Sequence, residues 1–282
     1  MTMVQPVGGL LREWRQRRRM SQLDLALEAQ ISARHLSFVE TGRSQPSRET
    51  LLNLAERLNV PLRERNVLLT SAGYAPVYAE RPMEDAALAA ARTAVDMVLK
   101  GHEPYPAIAV NRQWELVASN AALAPLLSGA DPKLLEPPVN VLRLSLHPEG
   151  LAPRISNLAE WRAHLLHRLR LQVDLTADPA LFDLLAELRG YPAPAASAPP
   201  RLNDYGGVAV PLRLVTDAGV LSFISTTTVF GTPVDVTLSE LAVESFFPAD
   251  EDTAAVLRGT LARAGQKPDA PGSAVVTGTS AR

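Results

Sequence analysis

Three side chains stand at helical spacing in one short segment and could read the edges of DNA bases. Arg34, Ser37 and Phe38 fall on one face of a helix predicted over residues 33–41, with Ala33 beside them. An arginine fork can donate two hydrogen bonds to guanine, a contact worth about 1–3 kcal/mol of discrimination. A phenylalanine ring cannot hydrogen-bond, but it can contact the methyl group of thymine or a sugar edge. This face therefore suits a helix that enters a major groove.

A second helix, predicted over residues 22–29, precedes this one and would hold it in place. Ser21 and Asp24 resemble a capping box at its start, and Ser32 is a candidate N-cap for the following helix. The apolar positions that would pack the two helices together are Leu25, Ala26, Ala29, Ile31, Leu36 and Val39.

Residues 8–72 resemble the lambda-repressor-like (XRE) helix-turn-helix family. The matching motifs are Ser21-Gln-Leu-Asp-Leu-Ala26, Ile31-Ser32, Leu36-Ser-Phe-Val-Glu-Thr-Gly-Arg43, Pro46-Ser47 and the run Leu51 to Leu58. The resemblance implies an all-α domain that binds DNA, with Ala33, Arg34, Ser37 and Phe38 at base-reading positions. It places contacts to backbone phosphates at Gln22, Thr41, Arg43 and Arg48. It also implies that Arg15 and Glu40 form a pair that ties the first helix to the third.

The chain offers little for catalysis. It has no cysteine, which excludes disulfides, thiolate zinc sites and cysteine nucleophiles. It contains no Gly-x-Ser-x-Gly elbow, no His-Glu-x-x-His motif and no glycine-rich phosphate loop. His164 and His167 could share a helix face, but no further metal ligands stand near them in the sequence. We therefore expect no enzymatic activity, no metal site and no cofactor.

The second half of the chain mixes strands and helices. Strands are predicted over residues 107–110, 115–118, 208–215, 220–229 and 238–247. Helices are predicted over residues 84–100, 120–127, 156–172, 178–189 and 250–263. Proline-rich residues 131–138 and 190–203 are predicted to be irregular.

Five polar residues near the predicted apolar faces are candidates for ligand binding: Asn120, Arg143, His147, Arg154 and Asn157. Each has an alternative interpretation as a helix cap, a turn residue or a surface charge.

Much of this half resembles the ligand-binding domain of MmyB-like transcription regulators, over residues 104–258. The matching segments are 106–120, 140–144, 147–150, 157–168, 230–241 and 244–250. The resemblance implies a PAS-like α+β domain, in which an antiparallel sheet carries helices on one side, and a small apolar ligand such as a fatty acid. A carboxylate ligand would need an arginine or histidine at one end of its pocket, for which Arg143 and His147 are the candidates.

The predicted domains are a helix-turn-helix domain over 1–75, a connector with a helix over 76–103, a ligand-binding domain over 104–263 and a disordered tail over 264–282. Eleven arginines and eight acidic residues give residues 1–80 a net charge of +3, whereas 17 basic and 22 acidic residues give the remainder −5. This asymmetry favours a polyanion partner for the first domain only.

No apolar run approaches the ~20 residues of a membrane span, and no signal peptide is evident, so we expect a cytoplasmic protein without membrane contact.

These observations predict a ligand-controlled transcription regulator that binds a palindromic operator as a homodimer. Such a dimer would place two recognition helices about 34 Å apart. One alternative is a protein-interaction regulator that binds a toxin or a sigma factor. Another is an acyl-directed enzyme fused to a DNA-binding domain, for which the chain shows no nucleophile with an aligned base. A PAS-like haem or flavin sensor would be a variant of the first prediction.

Overall fold

The computed structural model describes residues 6–192, 209–231 and 235–264. Its first part is a bundle of five short helices: α1 (Val7–Arg17), α2 (Gln22–Glu28), α3 (Ala33–Glu40), α4 (Arg48–Arg57) and α5 (Leu62–Ser71). Its second part combines a five-stranded antiparallel sheet with further helices. The predicted order of an all-α domain followed by an α+β domain is therefore confirmed.

The helices of the bundle begin where the sequence predicts. Ser21 and Asp24 form both halves of a capping box, with backbone-to-side-chain distances of 3.1 and 2.9 Å. Ser32 accepts a hydrogen bond from the backbone N–H of His35, and Ser47 caps α4 in the same way. These bonds satisfy N–H groups that the first turn of a helix leaves without partners.

One apolar core joins all five helices. Leu11, Leu25, Leu36, Leu54 and Leu69, one from each helix, are completely buried. Burying a leucine side chain contributes about 1.5–3 kcal/mol, so the core rather than helix propensity holds these short elements together.

Residues 76–85, the first part of the predicted connector, form no helix or strand, but they are attached to the second domain. Ala79 forms a β-bridge with Asp235, which lies more than 150 residues later in the chain. After this bridge the chain enters a 3-10 turn (Ala86–Leu88) and then α6 (Ala89–Gly101). The connector thus runs along the second domain rather than standing away from it.

The sheet brings the first and last strands of the second domain together. The strands are β1 (Ala107–Val110), β2 (Leu116–Ser119), β3 (Leu212–Thr216), β4 (Gly219–Val229) and β5 (Ala242–Pro248). Their order is β2-β1-β5-β4-β3, and every neighbouring pair is antiparallel. The helices around the sheet, besides α6, are α7 (Val141–Leu146), α8 (Leu158–Thr176), α9 (Pro179–Gly190), α10 (Val236–Ser239) and α11 (Glu251–Ala264).

Helices cover both faces of this sheet, which corrects the expectation of helices on one side. Successive residues of a strand point to opposite faces. Ile108 and Val110 belong to the core shared with α7, α8 and α9, whereas Ala107 and Ala109 pack in a second cluster with α6. All four residues of β1 are buried, because both faces are occupied.

Several predicted element boundaries are wrong. Only residues Ala124–Leu127 of the helix predicted over 120–127 form a helical turn, of the 3-10 type. The strand predicted from residue 238 begins at Ala242, because Asp235 accepts a hydrogen bond from the N–H of Thr237 and starts α10.

Other differences are smaller. The irregular stretch 131–138 contains a 3-10 turn (Pro132–Leu135), α7 was not predicted, and α8 extends four residues past the predicted end. The closing helix matches its prediction, as α11. The strand predicted over 208–215 begins only at Leu212. The irregular segment beyond residue 192 and the tail after residue 264 lie outside the described residues. No helix within the described ranges has the length and apolar composition to cross a membrane.

Candidate DNA interface and ligand-binding domain

The base-reading candidates lie on the outward face of α3. Arg34 is exposed, and Ala33, Ser37 and Phe38 are half-buried. The Arg34 guanidinium lies 5.3 Å from the centroid of the Phe38 ring, so the two side chains stack on the helix surface. Leu36, on the opposite side of the helix, is completely buried in the bundle core. One face of α3 is therefore packed into the bundle core. The other, with Ala33, Arg34, Ser37 and Phe38, is called the presented face.

A buried ion pair fixes this helix to α1. Arg15 Nε and Nη2 donate to the two carboxylate oxygens of Glu40 at 2.7 and 2.9 Å, and Arg15 Nη1 donates to the carbonyl of Met20 at 2.8 Å. Burial favours the neutral acid, but the hydrogen bonds from Arg15 and Gln22 outweigh it, so the pKa of Glu40 lies below its usual value. The predicted pair between Arg15 and Glu40 is confirmed, and it sets the position of α3.

The candidates for phosphate contacts lie on α2, directly after α3 and at the start of α4. Gln22 stands at the first position of α2 and donates one amide proton to Glu40 at 2.7 Å, which leaves its second amide proton for another acceptor. Thr41 is exposed, but its hydroxyl donates to the carbonyl of Ser37 at 2.7 Å. Arg43 lies in the loop between α3 and α4, Arg48 is the first residue of α4, and both are exposed. Seven of the eight DNA-binding candidates thus lie on α3, directly after it or in contact with its Glu40, and Arg48 follows at the end of the loop.

The ligand-binding candidates, in contrast, are distributed over the second domain. Asn120 is buried, and its amide oxygen accepts from the N–H of Ala107 at 3.1 Å. Its amide nitrogen donates to the carbonyls of Leu99 and Tyr105 at 3.0 and 2.7 Å. These bonds tie β1 to the end of α6, so the side chain acts as a structural link.

Arg143 and His147 are brought together at one end of α7. Arg143 donates two hydrogen bonds of 2.7 Å to Glu187, whose carboxylate also accepts from the hydroxyl of Tyr191. The Arg143 guanidinium lowers the pKa of Glu187, while burial and the bond to Glu187 raise the pKa of Tyr191 to about 12. The His147 ring packs edge-on against Tyr191 at 5.1 Å. The arginine therefore already holds a carboxylate of the protein itself.

Arg154 and Asn157 bind backbone groups elsewhere in the domain. Arg154 donates to the carbonyl of Leu126 at 2.7 Å. Asn157 donates to the carbonyl of Pro211 at 2.7 Å and accepts from the N–H of Arg213 at 3.1 Å, which ties α8 to β3.

A polar cluster between α8 and the sheet was missed by the sequence analysis. Arg168 donates to Thr227 at 2.9 Å and to Glu244 at 2.5 Å, and its guanidinium lies 5.0 Å from the centroid of the Trp114 ring. His164, one turn earlier on α8, is half-buried, and burial followed by the charge of Arg168 lowers its pKa. The four-residue spacing of these two residues was visible in sequence, but nothing there showed which face of α8 turns inward. Among the described residues, no group of side chains could hold a metal ion.

An open cleft separates the two domains on one side of their contact. It has a volume of about 680 Å³ and is lined by Arg17 and Arg19 of the bundle, and by Asp174, Phe182 and Asp183 of α8 and α9. A second cavity of about 210 Å³ continues from it towards α5. Basic side chains of the first domain thus line the same cleft as acidic side chains of the second.

Comparisons with known families agree with this two-part arrangement. The family model of the MmyB-like transcription regulator ligand binding domain matches residues 91–259, and a helix-turn-helix family model matches residues 11–65. No curated protein matches the chain. Because the ligand-binding match alone covers more than half of the 282 residues, the chain belongs to the MmyB-like transcription regulators, which places it among ligand-regulated DNA-binding proteins with an XRE-type helix-turn-helix.

Proposed function

We propose that this regulator reads a palindromic operator through Arg34 and Phe38 of α3, and that a fatty acid bound in its second domain controls DNA affinity. The observation that supports the DNA-reading role is the combination of an outward pair, Arg34 with Phe38, and a buried anchor, Arg15 with Glu40. A recognition helix must present its contact residues in a fixed orientation, and the anchor supplies that orientation.

Each candidate has a distinct role in this proposal. Arg34 forks onto a guanine, Phe38 contacts a thymine methyl, and Ala33 and Ser37 line the base edges. Gln22, Arg43 and Arg48 donate to backbone phosphates. Thr41 can join them only if its hydroxyl proton leaves the carbonyl of Ser37.

The test of base reading compares two arginine variants on a selected operator. Arg34→Ala is expected to lose about 1–3 kcal/mol of binding and to relax the preference at one base position. Arg48→Ala is expected to weaken binding to all sequences alike and to lower the salt dependence by about one phosphate contact. Arg57→Ala, on the last turn of α4, is the control. An Arg34→Ala variant that keeps the full sequence preference and normal melting would remove the base-reading role.

The controlling ligand is proposed from the family and from one cluster of the structure. Arg143 and His147 lie together and half-exposed, with Arg143 already holding the carboxylate of Glu187. A fatty acid would place its carboxylate there in exchange for Glu187, with its chain against the apolar core of α7, α8 and α9. Asn120, Arg154 and Asn157 contribute as supports of the surrounding backbone.

Native mass spectrometry of the freshly purified chain tests the ligand. The expected result is a bound species, about one per chain, which denaturing extraction identifies as a fatty acid. An empty chain whose DNA affinity does not respond to added laurate would overturn this part of the proposal.

Sedimentation with an operator of two half-sites tests the homodimer. The operator duplex should bind two chains at saturation.

A further inference from the structure

Two successive residues of α5 face the second domain with opposite charges. Arg63 donates to both carboxylate oxygens of Glu240, at 2.8 and 2.9 Å. Glu64 accepts a hydrogen bond from Arg112 at 3.1 Å. The helix-turn-helix domain therefore meets the ligand-binding domain through a reciprocal pair of ionic contacts, one donated from each side.

Arg112 is the centre of this cluster. It lies at the turn between β1 and β2, and its side chain is 10% exposed. Besides Glu64, its guanidinium donates to Asp178 at 2.5 Å and to Glu240 at 3.1 Å. Asp178 is the N-cap of α9, and Glu240 follows the last residue of α10. One side chain thus joins α5 of the first domain to three elements of the second.

Beside the cluster, the contact between the domains is open. The two cavities of about 680 and 210 Å³ lie next to the cluster, with Asp178 lining both and Glu64 and Arg112 lining the smaller one. Arg18 also donates a long hydrogen bond of 3.4 Å to the carbonyl of Leu175 in the second domain. Next to these cavities, the ionic contacts of Arg63 and Arg112 link α5 to the second domain.

We propose that Arg112 is the positioning residue that holds the helix-turn-helix domain on the ligand-binding domain, and that ligand-induced movement of its partners is transmitted to α5 through it. The positioning role of Arg112 needs only the contacts described above. The transmission of ligand-induced movement to α5 rests on the proposed ligand control. Without Arg112 the carboxylates of Glu64 and Asp178 would lose the cation that they share, and Glu240 would keep only Arg63. Half-buried like charges of this kind are disfavoured, so we expect the contact between α5 and the second domain to weaken.

The state of Glu64 supports this account. Burial raises the pKa of Glu64 despite the nearby Arg112 guanidinium, which shows how costly this carboxylate is to bury in the contact. Its second carboxylate oxygen, Oε2, is buried without a hydrogen-bond partner among the described residues. Loss of Arg112 would therefore remove the cation beside a carboxylate that is already costly to bury.

The test measures amide hydrogen exchange and heat unfolding of the full chain. For Arg112→Ala we expect exchange in α5 to rise at least tenfold relative to α3, and the unfolding of the two domains to separate into two transitions. Arg112→Lys keeps the charge but loses the forked guanidinium. It should therefore change both the exchange in α5 and the unfolding transitions less than Arg112→Ala does. Arg258→Ala, which breaks an arginine–glutamate pair within α11, is the matched control and should leave α5 unchanged.

A purely local role of Arg112 predicts a different result. In that case exchange would rise around β1 and the start of α9 while α5 stayed protected, and this outcome would overturn the positioning role. Unchanged exchange throughout would overturn it as well.

A second arm adds sodium laurate below its micelle concentration. The expected result is a change in α5 exchange in the wild-type chain that is absent in Arg112→Ala. A change of equal size in both chains would overturn transmission through Arg112. A wild-type chain that does not bind laurate would refute the proposed ligand, and the first arm would still decide the positioning role, because it requires no ligand.

Discussion

The two domains use their polar side chains in opposite ways. In the helix-turn-helix domain, the DNA-binding candidates Arg34, Arg43 and Arg48 are exposed on the surface, and a separate buried pair supports them from behind. In the ligand-binding domain, the candidates Asn120 and Arg143 already bind partners within the protein. A surface that meets a polyanion can leave its charges in water until binding, whereas polar groups inside a domain must be satisfied in the folded chain.

This difference predicts where substitutions act. Substitutions on the presented face of α3 should change DNA binding and leave the stability of the fold nearly unchanged. Buried polar side chains in either domain should change stability first, because their removal leaves a partner without a hydrogen bond.

The largest expected effect is at the buried anchor of the first domain. Arg15→Ala leaves the Glu40 carboxylate buried without its cation, and breaking such a pair costs about 3–5 kcal/mol. Chemical denaturation followed by circular dichroism should show this loss for the helix-turn-helix domain, whereas Arg57→Ala on the surface should change stability by less than about 0.5 kcal/mol. Equal stability of the two variants would contradict the anchoring role.

The same pair should give the first domain a definite acid sensitivity. The folded pKa of Glu40 lies below its unfolded value of about 4.3, so the pair contributes fully above that value. Its contribution should be lost as the pH falls through the folded pKa. Arg15→Ala should remove this dependence, so a wild-type chain with the same acid profile as the variant would show that the pair is not its source.

The contrast between the domains also explains what the sequence could predict. The helix caps at Ser21 and Ser32, and the outward positions of Arg34 and Phe38, follow from spacings within one or two turns of a helix. Helix caps and helix faces of this kind depend only on residues within a short segment, so the sequence is enough to predict them. The pair of Arg15 with Glu40 came from the family resemblance rather than from spacing.

The ligand-binding domain depends on contacts between distant segments. Asn120 meets Leu99 because β1 and α6 pack together, and Arg112 meets Glu64 and Glu240 because α5 docks beside α10. Neither packing is visible as a periodicity in the sequence. Three of the five strands were predicted to within one residue, and the other two begin four residues after their predicted starts. The side chains that the fold brings together across the domain could not be predicted.

A second, smaller effect is expected at Asn120. Its amide satisfies three backbone groups between β1 and α6, and each such bond contributes about 1 kcal/mol, so Asn120→Ala should cost about 2–4 kcal/mol. Unfolding monitored by Trp114 and Trp161 fluorescence should show the loss in the second domain. Asn157→Ala, which removes two backbone bonds on β3, should cost less. An Asn120→Ala chain of normal stability that no longer binds the copurified ligand would instead make Asn120 a ligand contact.

The smallest effect, and the sharpest test of the contrast, is at Glu187. This carboxylate holds Arg143 in a half-exposed ion pair, and such pairs contribute only about 0–1 kcal/mol because solvent screens them. Glu187→Gln keeps the shape of the side chain but weakens its hold on the guanidinium, so a ligand carboxylate should compete for Arg143 more easily. Titration with laurate should then show binding up to about fivefold tighter than in the wild-type chain, which corresponds to at most about 1 kcal/mol. Arg143→Ala should weaken the same binding. If neither variant changes laurate affinity, Arg143 belongs with the internal supports of the domain, and the anionic end of the ligand must be sought at another cation, such as Arg168 beside Glu244.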